Sequence, residues 1–336
     1  GATSASDGAI LAGFTADVAF DVTDDANAVA AEVTGVGNGS GDLDEVNTLI
    51  VSGGDVDTAE AQAIQSISGY DASASDYEIT DDVAAVISAG NSVIENDGVT
   101  RVEVTDVADA SEGVSLNNYS ANVDFDVSDT AKAIADNSGN LGKADEVFVE
   151  SGGDAVDVAE AQAIQSISGY DASASDYEIT DDVAAVISAG NSVIENDGVT
   201  RVEVTDVADA SEGVSLNNYS ANVDFDVSDT AKAIADNSGN LGKADEVFVE
   251  SGGDAVDVAE AQAIQSISGY DASASDYEIT DTAAAVIGAG NSVLTNGNIS
   301  VDVNDGAVNA SDGAILAGFT ADVDFDVSDT AANIAA

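Results

Sequence analysis

The sequence contains no cysteine, methionine, tryptophan, histidine or proline. Without cysteine there is no disulfide and no thiolate site, and the redox compartment leaves no mark on the chain. The further loss of histidine removes the usual zinc and copper ligands, leaving oxygen donors that suit hard cations. Serine, tyrosine and aspartate are abundant, but no His, Cys or clustered Lys is present to activate a nucleophile. Carboxylates paired as in glycoside hydrolysis are inevitable among 65 acidic residues, yet aromatics at 5% supply few sugar platforms. The expectation is a protein without catalysis.

Positive charge is also scarce: six basic residues stand against 65 acidic ones, for a formal net charge of −59. Nucleic acid is excluded as a partner, because binding it requires Lys and Arg to neutralise phosphates. Anionic membrane surfaces are excluded by the same repulsion. No run of about 18 apolar residues exists, so no transmembrane helix is expected. No signal peptide is visible, and a start at Gly1 suggests a processed product or a piece of a longer chain. Strong acidity with few aromatics can mean disorder, but the regular spacing of Val and Ile argues for a folded chain. Hydrophobic residues make up 44%, and most are Ala, Val and Ile.

What the chain has in abundance is repetition. Residues 59–181 recur unchanged as residues 159–281, an interval of 100. Internal repeats take precedence over length in estimating domains. The boundaries read as a diverged repeat at 1–58, 100-residue repeats at 59–158 and 159–258, and a partial diverged repeat at 259–336. Each 100-residue unit is itself two diverged halves: "VADASEGVSLNNYSANVDFDVSDTAKAIAD" from Val107 parallels "VAEAQAIQSISGYDASASDYEITDDVAAVIS" from Val158.

Within each half, short segments alternate apolar and polar residues: "YEIT" at Tyr77, "RVEV" at Arg101, "VDFDV" at Val123 and "EVFVE" at Glu146. This period of two predicts half-buried strands. An Ala-rich run with helical spacing follows each. In "VSDTAKAIA", Ser128 or Asp129 is positioned to cap a helix whose Ala131, Ile134 and Ala135 share a face. In "AEAQAIQSI", Ala61, Ile64 and Ile67 form a stripe. Gly and Asn near Asn91 and Asn140 are expected to stop these helices.

The fold class expected is therefore an α/β repeat, a right-handed solenoid of stacked strand–short-helix coils of about 25 residues with a parallel sheet on one face. Roughly 13 coils at ~4.8 Å spacing would give one continuous rod of about 60 Å. The competing arrangement, a string of separate 50- or 100-residue domains, has no flexible linker or proline in its favour. The phrase "ASDGAILAGFTADV" occurs at both ends, at residues 5–18 and 310–323. The sequence stops at "VSDTAANIAA" with no polar cap, which suggests that the array continues or that another molecule stacks there.

The phrases "VSDTAANIAA" (residues 327–336) and "VDVAEAQAIQSISGYDASASDYEITDDVAAVI" resemble a repeat of very large secreted bacterial proteins. There a "VSDTAANIAANLDAL"-like helix phrase alternates with a "LTLTAAQA"-like phrase at a period near 50. Residues 24–31, 129–135, 182–187 and 329–336 all fit the helix phrase. Proteins carrying it are similar to type-I-secreted surface proteins, adhesins and calcium-binding repeat proteins. The resemblance implies an extracellular or cell-surface array and brings no catalytic residue with it. This chain departs from the pattern in lacking "ITLTDSGTP"-type segments and in being more acidic.

Metal binding is the remaining chemistry. "SGGDAVDVAE" places Asp154, Asp157 and Glu160 around a Gly pair, and "ENDGVTRVEVTDVAD" offers Glu195, Asp197, Asp206 and Asp209. Neither fits the EF-hand loop or the "GGxGxDxUx" nonapeptide of calcium β-rolls, and a solvated acidic surface explains any single Asp equally well. Stacked coils would place Asp126, Glu178 and Glu203 in acidic ladders, which Ca²⁺ or high salt would relieve. Tyr70, Tyr77 and Tyr119 recur with the repeat and are expected to close the core with exposed hydroxyls. A row of them contacting sugar is the other reading. Sequons at Asn38, Asn118, Asn218, Asn298 and Asn309 permit glycosylation.

Two functions follow. One is a structural segment of a rod, filament, sheath or surface layer that self-associates and is stabilised by cations. The other is a calcium-dependent adhesin module that binds glycan or a partner surface.

Overall fold

The computed structural model describes residues 1–14, 18–34, 43 and 45–335. Asn38 and Ala336 lie outside the described residues. The chain divides into two compact units. The first comprises Gly1–Asp154 with Ala159–Tyr177, the second Ala155–Val158 with Glu178–Ala336.

The alternating segments are strands. In the first unit they run Asp21–Asp24, Thr48–Val56, Asp76–Asp81, Val99–Val104 and Val123–Asp124, and they form one sheet in the order of the sequence. Val127–Asp129 and Val147–Val149 form a second, two-stranded sheet. All these pairs are parallel, with registers such as Asp21↔Thr48, Ile79↔Val102 and Val102↔Val123. Parallel neighbours cannot be joined by a tight hairpin. Here at least one short helix intervenes between successive paired strands: Ala26–Val33, Thr58–Gln65, Val83–Ala89 with Asn91–Ile94, Ala110–Asn117 and Ala131–Asn137.

The second unit repeats the pattern. Tyr177–Asp181 (all but its first residue in this unit), Val199–Val204 and Val223–Asp224 form a three-stranded sheet. Val227–Asp229 pairs with Val247–Val249, and Asp276–Asp281, Asn298–Val303 and Asp322–Asp324 form another three-stranded sheet. The architecture is thus α/β, with short parallel strands in small sheets and alternating helices. Strand, turn and helix make one step, and the next step pairs alongside it.

The core is as small-sided as the composition suggests. Strand residues Val22, Leu49, Ile79 and Val102 meet helix residues Ala61, Ile64, Val86, Leu116 and Ile134, all fully buried. The stripe of Ala61, Ile64 and Ile67 is buried as expected, and so is that of Ala131, Ile134 and Ala135. The expected cap of the latter helix is corrected: Thr130, not Ser128 or Asp129, accepts the N–H of Ala133. Asp129 is engaged elsewhere. At Asn91 the helix does stop, at Gly90 with φ +70, but a second short helix, Asn91–Ile94, starts at once.

The tyrosines are also corrected. Tyr77 lies on a strand, 1% exposed, and its hydroxyl accepts from Gln65 Nε2 at 2.7 Å. The Tyr119 hydroxyl donates to Val86 O at 3.1 Å in the interior, and that of Tyr70 donates to Asn96 Oδ1 at 3.0 Å. A buried hydroxyl left unpaired would cost about 1–3 kcal/mol. Among the described residues no buried side-chain polar atom lacks a partner.

Glycine sits inside helix Ala110–Asn117, where it costs about 1 kcal/mol against alanine in intrinsic propensity. The reason is close approach: a Cβ on Gly113 would lie 2.7 Å from Val127 Cγ2 and 3.0 Å from Leu141 Cδ2. Both neighbours are fully buried and have nowhere to retreat. Gly113→Ala should therefore lower stability by about 1–3 kcal/mol of overpacking less the propensity gain, read as a fall in the thermal midpoint. Gly139→Ala, where a Cβ meets nothing within 4 Å, is the matched control. It should be neutral or slightly stabilising by calorimetry.

Candidate functional site

The features that recur most regularly are carboxylates at helix N-termini. The first N–H groups of a helix have no partner inside it and carry the positive end of its dipole. Here most termini of the helices of seven or eight residues are met from two directions. The residue before the helix caps the third N–H in the ordinary way, as Asp57 and Asp109 do within capping boxes closed by Glu60 and Glu112. The first N–H is taken by an aspartate from the following step. Asp24 Oδ2 accepts from Ala5 N at 2.9 Å, Asp81 Oδ2 from Thr58 N at 3.0 Å, Asp106 Oδ1 from Val83 N at 2.7 Å and Asp129 Oδ2 from Ala110 N at 3.1 Å.

The second unit reproduces these bonds. Asp181 takes Val158 N, Asp206 takes Val183 N, Asp229 takes Ala210 N, Asp281 takes Val258 N and Asp329 takes Ala310 N. Where the aspartate ends a strand, its other oxygen accepts the N–H of the next residue, as Asp129 Oδ1 does from Thr130 N at 2.7 Å. One side chain thereby joins the start of its own helix to the start of the previous one.

At Asp81 and Asp329 these bonds hold the charged form. Burial of Asp81 opposes its ionisation, but the N–H and hydroxyl of Thr58 and the N–H of Asp82 outweigh it and hold the carboxyl below the ordinary range. The N–H groups of Ala310 and Thr330 and the Asn333 amide lower Asp329 in the same sense.

All six basic side chains cross-link steps. Arg101 Nε lies 2.5 Å from Asp124 Oδ2, while its Nη1 lies 2.8 Å from Glu103 and 3.5 Å from Glu78. Arg201 repeats this with Asp224, Glu203 and Glu178 at 2.5, 3.1 and 3.6 Å. Lys132 bridges Asp136 and Glu160, each at 2.6 Å, and Lys232 bridges Asp236 and Glu260. Lys143 and Lys243 donate to the carbonyls of Tyr119 and Tyr219.

The expected ladder of Asp126, Glu178 and Glu203 is therefore corrected. Arg201 sits between the two glutamates, and Asp126 instead accepts the N–H of Glu146 at 3.1 Å. The third copy differs. In the register Glu278↔Ser300↔Asp322, serine stands where the other copies carry arginine. Glu278, Asp302, Asp322 and Asp324 line a groove of about 490 Å³ there without a basic side chain.

The residues expected to bind metal are dispersed among these tasks. Asp154 is exposed in a loop, and Asp157 occupies the position at which Asp57 and Asp257 form capping boxes. Glu160 pairs with Lys132. Glu195 accepts the N–H of Ser220 at 2.6 Å, and that bond, before lesser ones from Asn191 and the Ser220 hydroxyl, holds it low. Asp197 is exposed in a turn, Asp206 takes Val183 N, and Asp209 caps helix Ala210–Asn217. Among the described residues no group of three or more acidic side chains is arranged to hold a metal ion. No described helix is long and apolar enough to cross a membrane.

Sequence reasoning missed the aspartates that reach back to the preceding helix. Their signal was visible in the recurring Asp-Asp and Asp-Thr pairs at strand ends, at residues 24–25, 81–82, 129–130 and 281–282. Compared with known proteins, the chain matches no family model and no curated protein sequence.

Two substitutions test these roles. Asp81→Ala leaves Thr58 N, Thr58 Oγ1 and Asp82 N without their acceptor and should cost about 1–3 kcal/mol. Asp81→Asn, which keeps one oxygen, should cost roughly half as much in the same calorimetric comparison. Ser300→Arg should raise stability by at most about 1 kcal/mol, an effect that fades with added salt.

Proposed function

We propose that the chain is a non-catalytic structural repeat protein of the extracellular space. On this reading its steps continue as a strand–helix solenoid, which self-associates as a segment of a rod, filament, sheath or surface layer and is tightened by cations. One observation carries the reading: the same register, caps and carboxylate bonds recur 100 residues apart in identical sequence, as with Asp129 on Ala110 and Asp229 on Ala210. A reaction needs one well-formed centre, whereas a repeated contact set is what an extended scaffold requires. The likeness to secreted repeat arrays supports the extracellular placement.

Cations enter through charge. Two carboxylates ~5 Å apart repel by about 3 kcal/mol at an effective dielectric near 20. Basic side chains offset this around Arg101 and Arg201, but not along Glu278, Asp302, Asp322 and Asp324. The oxygen-only donor set favours calcium over softer metals.

Melting in chelator, in Ca²⁺ and in NaCl of matched ionic strength tests this. Ca²⁺ at ~100 Kd should add about 2.7 kcal/mol per independent site, whereas NaCl only screens. Identical curves in Ca²⁺ and matched NaCl would remove specific cation binding from the account. Short monodisperse particles by electron microscopy under every condition would remove assembly.

The pH response has two signs. Burial, then the charges of Asp124 and Asp126, raise the Asp145 carboxyl despite Arg101, and Asp245 behaves alike. A raised carboxyl means stability grows as pH falls through its folded pKa. Asp81, Glu195 and Asp329 are lowered, so their contribution is present above the unfolded value near ~4 and is lost as pH falls through the folded one. The melting temperature should rise slightly on mild acidification and then fall steeply below about pH 4. A monotonic rise to the lowest soluble pH would contradict the bonding scheme.

A further inference from the structure

The tetrapeptide Ser-Gly-Gly-Asp occurs at residues 52–55, 151–154 and 251–254, and the fold treats it in two ways. In the first copy it lies within strand Thr48–Val56. Ser52 pairs with Asp76 and Asp55 with Glu78, and Gly53 N–H donates to Asp76 Oδ1 at 2.7 Å. Gly54 runs so close over the start of the preceding helix that a Cβ there would lie 2.9 Å from Ala26 N.

The other two copies are longer by two residues between equivalent anchors. Val51 and Val149 both donate to a serine hydroxyl, of Ser75 and Ser175, while Val56 and Val156 both bridge an isoleucine, Ile79 and Ile179. The surplus chain cannot stay in register and bows outward. Residues 151–155 and 251–255 are exposed throughout. Residues 151–152 and 251–252 form a turn, the segments make no side-chain hydrogen bond and no strand pairing, and the ladder resumes only where Val156 N–H donates to Glu178 O at 3.0 Å. Their closest contact is packing alone, with Gly153 against Thr130 and Gly253 against Thr230.

An endopeptidase must draw several residues into an extended conformation, so cleavage follows the free energy of local opening. Opening residues 52–55 breaks ladder and side-chain hydrogen bonds, whereas opening residues 151–155 breaks none. Exposed loops of small residues are where nicking concentrates. We infer that, among the described residues, the loops at residues 151–155 and 251–255 are the sites at which an endopeptidase with a small-residue pocket first cleaves the folded chain. The step is hydrolysis: the peptide C–N bond breaks, water gives its hydroxyl to the new carboxyl group, and its proton goes to the new amino group. Processing there would cut successive repeats at the same point.

The test is limited digestion of the full chain with elastase, in chelator, read by intact mass and peptide mapping over time. First cuts are expected in both loops at comparable rates, with cleavage in residues 52–55 at least about tenfold slower. Heat-unfolded chain should lose that distinction and be cut in all three Ser-Gly-Gly-Asp segments. Equal rates at residues 52–55 in the folded chain, or first cuts elsewhere among the described residues, would overturn the inference. So would an unfolded chain that keeps the same preference, since the discrimination would then belong to flanking sequence.

Discussion

A helix start offers N–H groups that the helix itself cannot satisfy, and short helices have little else to hold them in place. In this chain the first of those groups is satisfied by an aspartate belonging to the next step, as Asp106 does for Val83 and Asp129 for Ala110. Helices of seven or eight residues are marginal alone, because nucleation is costly and few bonds repay it. Their persistence depends on packing and on these carboxylates. Since each carboxylate arrives with the strand that pairs alongside, helix capping and strand register are one constraint. A slip in register would strand both the apolar face and the cap.

That constraint changes the meaning of the charge. A net charge of −59 suggests a surface strained by repulsion, yet many of the acids lie where a negative charge is wanted, against the positive ends of helices. Others surround the six bases, each of which joins steps. Repulsion outweighs compensation around Asp145, where Arg101 only partly offsets Asp124 and Asp126, and no basic side chain lines the groove of Glu278, Asp302, Asp322 and Asp324. Among the described helices of seven or eight residues, three lack the aspartate from the following step: Ala26–Val33, Ala131–Asn137 and Ala231–Asn237. In those places a glycine from the next Ser-Gly-Gly-Asp segment runs over the helix start, Gly54 at Ala26, Gly153 at Thr130 and Gly253 at Thr230.

Much of this architecture was legible in the sequence because it rests on periodicity. The strands at Tyr77, Arg101 and Val147 follow from alternation, and the stripe Ala61–Ile64–Ile67 from helical spacing. Parallel pairing of consecutive strands follows from the helix between them. The roles of individual acids were not legible. Which of Ser128, Asp129 and Thr130 caps its own helix depends on where the previous helix starts in space, and that contact spans 19 residues. The hydroxyls of Tyr77 and Tyr119 were expected outside, because sequence shows an amphipathic side chain but not the Gln65 amide that donates to one or the Val86 carbonyl that accepts from the other. The residues singled out for metal take separate tasks for a related reason. Acids crowded in sequence, such as Asp206 and Asp209, serve different helices: one takes Val183 N, the other caps Ala210–Asn217.

The central claim concerns amides that most helices leave to water. Native-state hydrogen exchange at Val83 and Ala110, each the first residue of its helix, addresses it directly. The account predicts that these N–H groups are protected to about the same degree as strand amides such as Val102, because each is held by the carboxylate of a neighbouring step and opens only with it. Exchange at Val83 and Ala110 as fast as in an unstructured peptide, with Val102 still protected, would contradict it.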